Sequence, residues 1–476
     1  MRHLPSIAPL SAVLLLALSL PAAAQAPSQA RIPQRALDAA AQLREQALAD
    51  DTAWRVTESL TTEIGPRLAG SAADARAVEW AKAKFKALGY DKVWTQPVTF
   101  PRWQRRSEHG QVLGANAQPL VLTALGGSPG GTAEGQIVRF ASLEALQQAP
   151  AGSLAGKIAY VDVPMERARD GSGYRIGSAV RGRGPSAAVR AGAVAFLMRS
   201  AGTDSHRMPH TGISRFEDGL TPIPMAALSV PDALQLSRLA ALGPTRVRIA
   251  LDCGWDGQYT SQNVIGEITG RRKDEVVVIG GHLDSWDQGA GAVDDAAGVG
   301  ITMAAGHLIG QRKDKPLRTI RVIAFANEEQ GLFGGKAYAE SQKDLVGKHQ
   351  IVAESDFGAG RVYAFSTSAA KADADHAASR QIAQVLEPLG IAFTPADGGP
   401  GPDVGPIAER GAAWAALRQD GTDYFDLHHT PDDTLDKIDP KALAQNAAAY
   451  TVFAFLAAEA EGEFGSAPKA AATPEE

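Results

Sequence analysis

Apolar positions recur with helical spacing from about Arg35, through ALDAAAQLREQALADDTAWRVTESLTTEI, and stop at the turn-forming segment GPRLAGS, residues 65–71. A second amphipathic helix is expected over about 72–88, ending at Gly89, a residue type suited to the backbone just past a helix end. The next run, KVWTQPVTF, alternates as a strand does. Around residues 103–110 the texture changes. From there to about Asp252, short β-type runs (GQIVRF, GKIAYVDV, GAVAFLMR, TPIPMAALSV) and two short helical pieces (SAAVRAGA, DALQLSRLAAL) lie among many Gly and Pro residues. This reads as a separate α/β or β-rich module. From about Gln262, continuous apolar strands alternate with helices: EVVVIGGH, AAGVGITMAAGHLIG, TIRVIAFAN, LFGGKAYAESQ and HQIVAESD. Uninterrupted apolar strands are buried on both faces, and their alternation with helices implies parallel βαβ units. The expected fold is α/β, with a mixed, largely parallel sheet flanked by helices.

The ends of the chain differ from the rest. Arg2 and His3 precede the apolar stretch 10–20, and Pro21 and Ala22-Ala23-Ala24 follow it. A charged start, a short apolar core and an Ala-x-Ala site make a secretory signal peptide over residues 1–24. The stretch is short of the roughly 20 residues of a membrane span, and no Cys follows it to carry a lipid. The expected product is exported, periplasmic or secreted, without a membrane anchor. The segment FGSAPKAAATPEE, residues 464–476, reads as a disordered tail.

Composition narrows the function. The 476 residues are 45% hydrophobic and 21% charged, the balance of an ordinary globular protein. A net charge of −6 argues against nucleic acid as a partner. The single cysteine, Cys253, excludes internal disulfides and Cys-rich metal sites, and LDCGWDG carries no thiol-enzyme motif. The Gly-rich GGSPGG at 126–131 lacks the Lys-Ser/Thr and helix of a phosphate cradle and reads as a loop.

Chemistry concentrates at strand ends in the second half. GGHLDSWDQGAGAVDDAAG places His282 and Asp284 two apart, so that Asp284 can accept the imidazole proton and fix its tautomer. Asp294 and Asp295 open the next helix, where metal ligation and helix capping are both open. FANEEQGLFG carries Glu328 and Glu329, either a solvated pair or a metal ligand beside a general base. VAESDFGAG places Asp356 just past a third strand, with Glu354 two residues before it. DYFDLHHTPDDT adds His428 and His429. The remaining histidines (His109, His206, His210, His307, His349, His376) lack such context and read as structural or surface residues. Each motif alone is weak. Together, ligands at the carboxyl ends of successive parallel strands converge on one crevice. Two imidazoles and three carboxylates, with one extra glutamate, suit a pair of borderline divalent ions sharing a carboxylate.

In the order and spacing of GPRLAGS, GGHLDSWDQGAGAVDDAAG, NEEQGLFG, ESD and HHTPDDT, the sequence resembles the co-catalytic zinc exopeptidases of the aminopeptidase and glutamate carboxypeptidase family. It looks most like the plasma glutamate carboxypeptidase (carboxypeptidase Q) branch. The resemblance covers the chain up to the tail. It implies two Zn²⁺ per chain, one held by His282, Asp294 and Asp356, the other by Asp294, Glu329 and His429. Glu328 would be the base that activates a metal-bridging water and then protonates the leaving amine. Asp284 would orient His282, and His428 would stabilise the oxyanion. His429 is the ligand of the two histidines because the family's ligand directly precedes the T-x-x-D-T turn, here residues 430–434. Residues 25–104 and 254–463 would form the peptidase domain, and 105–253 an inserted protease-associated domain that shapes the substrate cleft or a homodimer contact. The implied activity is hydrolysis of dipeptides or short peptides at a free terminus. Carboxypeptidase specificity, glutaminyl cyclisation and a non-catalytic, receptor-like relative are the alternatives. A complete ligand set argues against the last, and the large insert against the cyclase.

Overall fold

The computed structural model of the chain describes residue 1 and residues 29–466. The expected signal peptide lies almost wholly outside the described residues, as does the tail from 467 to 476. The helical pattern after Arg35 folds as two helices, Gln34–Ala49 and Thr52–Ser59, broken at Asp50-Asp51. Asp50 is extended and its carboxylate accepts the N–H of Thr52 at 2.8 Å, a local bond that competes with continuing the first helix. A third helix, Ala72–Ala87, begins where the Ser71 side chain accepts the N–H of Asp74.

Strand β1 (Lys92–Leu113) then leads into the inserted segment, with β2 (Gln118–Leu120), β3 (Leu122–Ala124), β4 (Gly131–Phe140), β5 (Ile158–Val161), β6 (Ala195–Arg199) and β7 (Met225–Leu228). Strand β8 (Arg246–Ile268) returns antiparallel to β1 along almost its whole length. Arg105 and Cys253, at the expected borders of the insert, face each other in this ladder. The insert is therefore not joined by linkers. It shares two long strands with the rest of the molecule, and register shifts at Pro101/Trp103 and Arg105/Ser107 bend the ribbon there. Strands β4 to β7 are mutually parallel and packed against the helices Tyr174–Arg190 and Val230–Leu242, so the insert is α/β rather than simply β-rich.

The second half carries β9 (Arg272–His282), β10 (Arg318–Phe325) and β11 (His349–Glu354), parallel in the order β11-β9-β10, with β8 antiparallel beyond β10. β8 also pairs with β4, so one sheet, eleven strands among the described residues, runs through both halves. The central strand β9 is buried on both faces. Val277 and Ile279 point into the core shared with the helices Ala297–Gly310 and Pro440–Glu459, and Val276 and Val278 into one shared with Tyr338 and Val404. Truncating Ile279 to Ala in this packed centre is expected to cost about 2–5 kcal/mol, measurable by urea unfolding. Strands β12 (Val362–Thr367), β13 (Ala392–Phe393) and β14 (Ala415–Gln419) form a second, smaller sheet.

The expected tail begins too early. Phe464 is 2% exposed in the core and Ser466 bridges Ala412, so packing continues past residue 463. Among the described residues no helix is long and apolar enough to cross a membrane.

Candidate metal centre

Adjacent parallel strands deliver their carboxyl ends to one edge of the sheet, and the chemistry-bearing residues gather there. His282 ends β9; Glu328 and Glu329 follow β10; Asp356 follows β11. Asp294 sits in the turn before the buried helix Ala297–Gly310, and His428 and His429 follow the short helix Tyr424–Leu427.

Asp294 is the hub. Its Oδ1 is 2.9 Å from His282 Nε2, and its Oδ2 lies 3.3 Å from His429 Nε2 and 3.5 Å from His428 Nε2. His282 Nε2 is also 3.5 Å from Asp356 Oδ1, and His429 Nε2 is 2.8 Å from Glu329 Oε2. The structure thus brings together all five residues implied as ligands. His429, with two carboxylates in reach, is better placed than His428. The rings of the two histidines stack at 3.4 Å between centroids. His429 has φ 62°, a left-handed backbone that a non-glycine residue adopts only when its surroundings hold it there.

Asp295 does something different from Asp294. Its carboxylate accepts the N–H groups of His282 at 3.0 Å and Gly298 at 3.1 Å, so it caps the helix and ties it to β9. Asp284 departs from its expected part. Its carboxylate is 3.6 Å from His282 Nδ1, whereas its main-chain carbonyl is 3.1 Å away. The carboxylate instead accepts the N–H of Glu328 at 3.0 Å. Past the end of β9 the strand alternation no longer governs where a side chain points. Asp284 therefore orients His282 through its backbone and Glu328 through its side chain.

The electrostatics are those of a site built for cations. Burial drives Glu328, Glu329 and Asp356 above the ordinary carboxylate range. Burial also works against Asp294, but His282 and His429 beside it prevail and hold it well below that range. His429 is pushed up to about 10, because Glu329 and Asp294 outweigh burial. Asp294 Oδ2 and Glu329 Oε1 are buried without a hydrogen-bond partner. Such atoms are costly unless something positive meets them. Three groups (Asp294 with His428 and His429; His282 with Asp295 and Asp356; His282 with Asp294 and Glu329) each present donor atoms within 4.8 Å of one another. Mixed imidazole and carboxylate donors at this spacing fit borderline divalent ions.

Two residues without an assigned part in the sequence motifs hold the centre in shape. Arg67, in GPRLAGS, is fully buried and donates to the carbonyls of Leu283 (2.6 Å), Ala290 (2.6 Å) and Gly291 (3.0 Å). Gly291 has φ 59°, and a Cβ there would collide with Ser285 and press on Asp294 and Arg67. Asp433, in TPDDT, accepts the N–H groups of Ala292 (2.8 Å), Val293 (2.7 Å) and Asp294 (3.2 Å). Both were visible as motif residues, but only the fold shows that they clamp the loop carrying Asp294.

A cleft of about 350 Å³ opens beside these groups, lined by Asp294, Glu328, Glu329, His428 and His429, with Tyr174 and Arg181 from the insert. Arg181 is 8% exposed, and its Nε has no partner. A second cleft, about 410 Å³, shares Asp356 and Phe357 and is lined by residues 398–402.

Comparison with known proteins bears on this geometry. The sequence model of Peptidase family M28 matches residues 263–470. Carboxypeptidase Q of Mus musculus is 32% identical over 406 residues, covering 84% of this chain and 84% of that protein. The chain belongs to peptidase family M28. A Peptidase M28 precursor from Shewanella amazonensis SB2B, known from its crystal structure, is similar over 89% of this chain and 97% of its own, at 48% identity and a TM-score of 0.85. A share that large extends well beyond residues 263–470 and into the insert. A zinc aminopeptidase from Bacillus subtilis shares the fold at 20% identity, with a TM-score of 0.62 over 84% of this chain and 93% of its own.

Proposed function

We propose that this M28 peptidase is a zinc-dependent exopeptidase acting on dipeptides or short peptides at a free terminus. The observation that carries the reading is the convergence of His282, Asp294, Asp356, Glu329 and His429 around buried, unpartnered carboxylate oxygens, with Glu328 beside them. His282, Asp294 and Asp356 would hold one ion; Asp294, Glu329 and His429 would hold the second. The bound ions supply Lewis-acid polarisation of the scissile carbonyl and make a water acidic enough to attack near neutral pH.

The chain's own residues do the rest. Glu328 is half-buried at the cleft wall, and its raised pKa suits a group that takes a proton from the attacking water and passes it to the leaving amine. Asp284 holds the main chain of Glu328 in place. Burial and the neighbouring His429 hold His428 well below the ordinary imidazole range, so it stays neutral and its N–H can donate to the developing oxyanion. Residues 105–253 are read as a protease-associated domain that closes the cleft, and the N-terminal segment 1–24 as an export signal.

Arg181 bears on which terminus is read. A buried guanidinium with an unpartnered Nε, lining the same cleft as Glu328, favours a substrate carboxylate there. This points to unblocked dipeptides and to carboxylate-terminated short peptides, in line with the carboxypeptidase Q relatives. The test compares a free dipeptide, its C-terminal amide and its N-acylated form. The free acid is expected to be cleaved best. Arg181→Met is expected to raise KM for it about 10–100-fold while kcat changes little, the effect of losing one charged hydrogen-bonding partner. Equal cleavage of acid and amide would remove Arg181 from recognition.

A further inference from the structure

Besides the local bonds of His428 N–H to the Tyr424 carbonyl and Thr430 N–H to the Leu427 carbonyl, three hydrogen bonds to the His428–His429 turn come from the insert. His429 Nδ1 lies 3.2 Å from the carbonyl of Thr211, so it donates there, and the N–H of Thr211 donates back to the His429 carbonyl at 3.1 Å. With Nδ1 committed to that carbonyl, Nε2 is the nitrogen left to meet an ion held between Asp294 and Glu329. Next to Thr211, His210 is 1% exposed, and its Nδ1 donates to the carbonyl of His428 at 2.7 Å. His210 is itself fixed on three sides. Its Nε2 lies 2.8 Å from Asp204 Oδ1, its main-chain N–H donates to Ser200 Oγ at 2.9 Å, and Gly202 packs so closely on the ring that a Cβ would collide with it. Thr211 is anchored as well, its hydroxyl donating to the Ala124 carbonyl at 3.0 Å and accepting from Arg105 at 3.0 Å. These contacts meet His429 at the residue whose backbone is left-handed, φ 62°.

We infer that Asp204, His210 and the Thr211 carbonyl are positioning residues for the ligand nitrogen of His429, so that the insert supplies the outer support of one of the two metal positions. The inference rests on the metal-centre reading above and goes beyond it. It makes the insert part of the metal site as well as a wall of the cleft. An ion held through His429 depends on it, whereas an ion held through His282 and Asp356, which reach the site from β9 and the end of β11, does not.

The test uses the full chain loaded with cobalt(II) and titrated with a chelator, with release of each ion followed by visible d–d absorption. Wild type and the exposed control His206→Ala are expected to release both ions alike. His210→Ala is expected to release one ion at about 10–100-fold lower chelator concentration, the usual cost of losing an outer-shell partner, with the other ion unchanged. His210→Asn, which keeps a donor close to the Nδ1 position, is expected to recover most of the loss. A folded His210→Ala protein, verified by near-ultraviolet circular dichroism, that releases both ions as wild type does would overturn the inference and leave the metal centre standing. If His210→Ala does not fold, Asp204→Asn takes its place: selective weakening of one ion supports the inference, and a wild-type release curve overturns it. Wild-type protein that takes up no cobalt contradicts the metal centre itself, and this inference with it.

Discussion

Glu328→Gln is expected to give a folded protein that keeps its metal and hydrolyses peptides about 10²–10⁴-fold more slowly than wild type, the range general acid–base catalysis contributes. The reason lies in where Glu328 stands. It borders the cleft with Asp294, Glu329 and Asp356, yet it belongs to none of the three groups whose donor atoms converge. Its main-chain N–H is held by Asp284 at 3.0 Å, a bond that glutamine keeps. Burial raises its pKa, and the nearby Asp356 and Glu329 add to the effect against His282. The amide has the same shape as the carboxyl but cannot accept a proton from water. Metal content and kcat, measured on the same preparation, check this. Loss of metal would make Glu328 a ligand, and an unchanged kcat would place the base elsewhere.

Asp294→Ala is expected to empty both metal positions together and to cut activity by about 10³-fold or more, since ions in such sites supply several kcal/mol of transition-state stabilisation. Asp294 touches both sides of the centre with separate oxygens: Oδ1 faces His282 at 2.9 Å and Oδ2 faces His429 at 3.3 Å. Asp356→Ala, which touches only the His282 side, is expected to lose one ion and keep the other. Elemental analysis of the two variants separates these outcomes. One ion retained by Asp294→Ala would show that Asp294 is not shared.

Much of this centre could be read from the sequence because its candidate residues sit at the ends of apolar strands, and alternation with helices implies that those strands run parallel. His282, Glu329 and Asp356 are placed by β9, β10 and β11, three strands with apolar, buried centres. The part Asp284 plays was not legible in full, because it lies beyond the strand, where side-chain direction is set by the loop that Arg67 clamps. His210 carried no local mark at all. Its contact with His428 spans 218 residues, and nothing around it reads as a ligand or a base. The borders of the insert were legible as a change of texture, but not as register partners inside one ribbon, since 22- and 23-residue strands broken by bulges do not alternate cleanly. Phe464 read as tail because Gly, Ser, Pro and Ala surround it, yet its ring is buried in the core.

The central claim is that metal held at this centre drives hydrolysis of a peptide with free termini. Hydrolysis of an unblocked dipeptide by the wild-type chain, before chelation, after it and after zinc is returned, tests it most directly. The expected result is cleavage that disappears with the metal and comes back with zinc. Cleavage that persists through complete chelation would contradict the account.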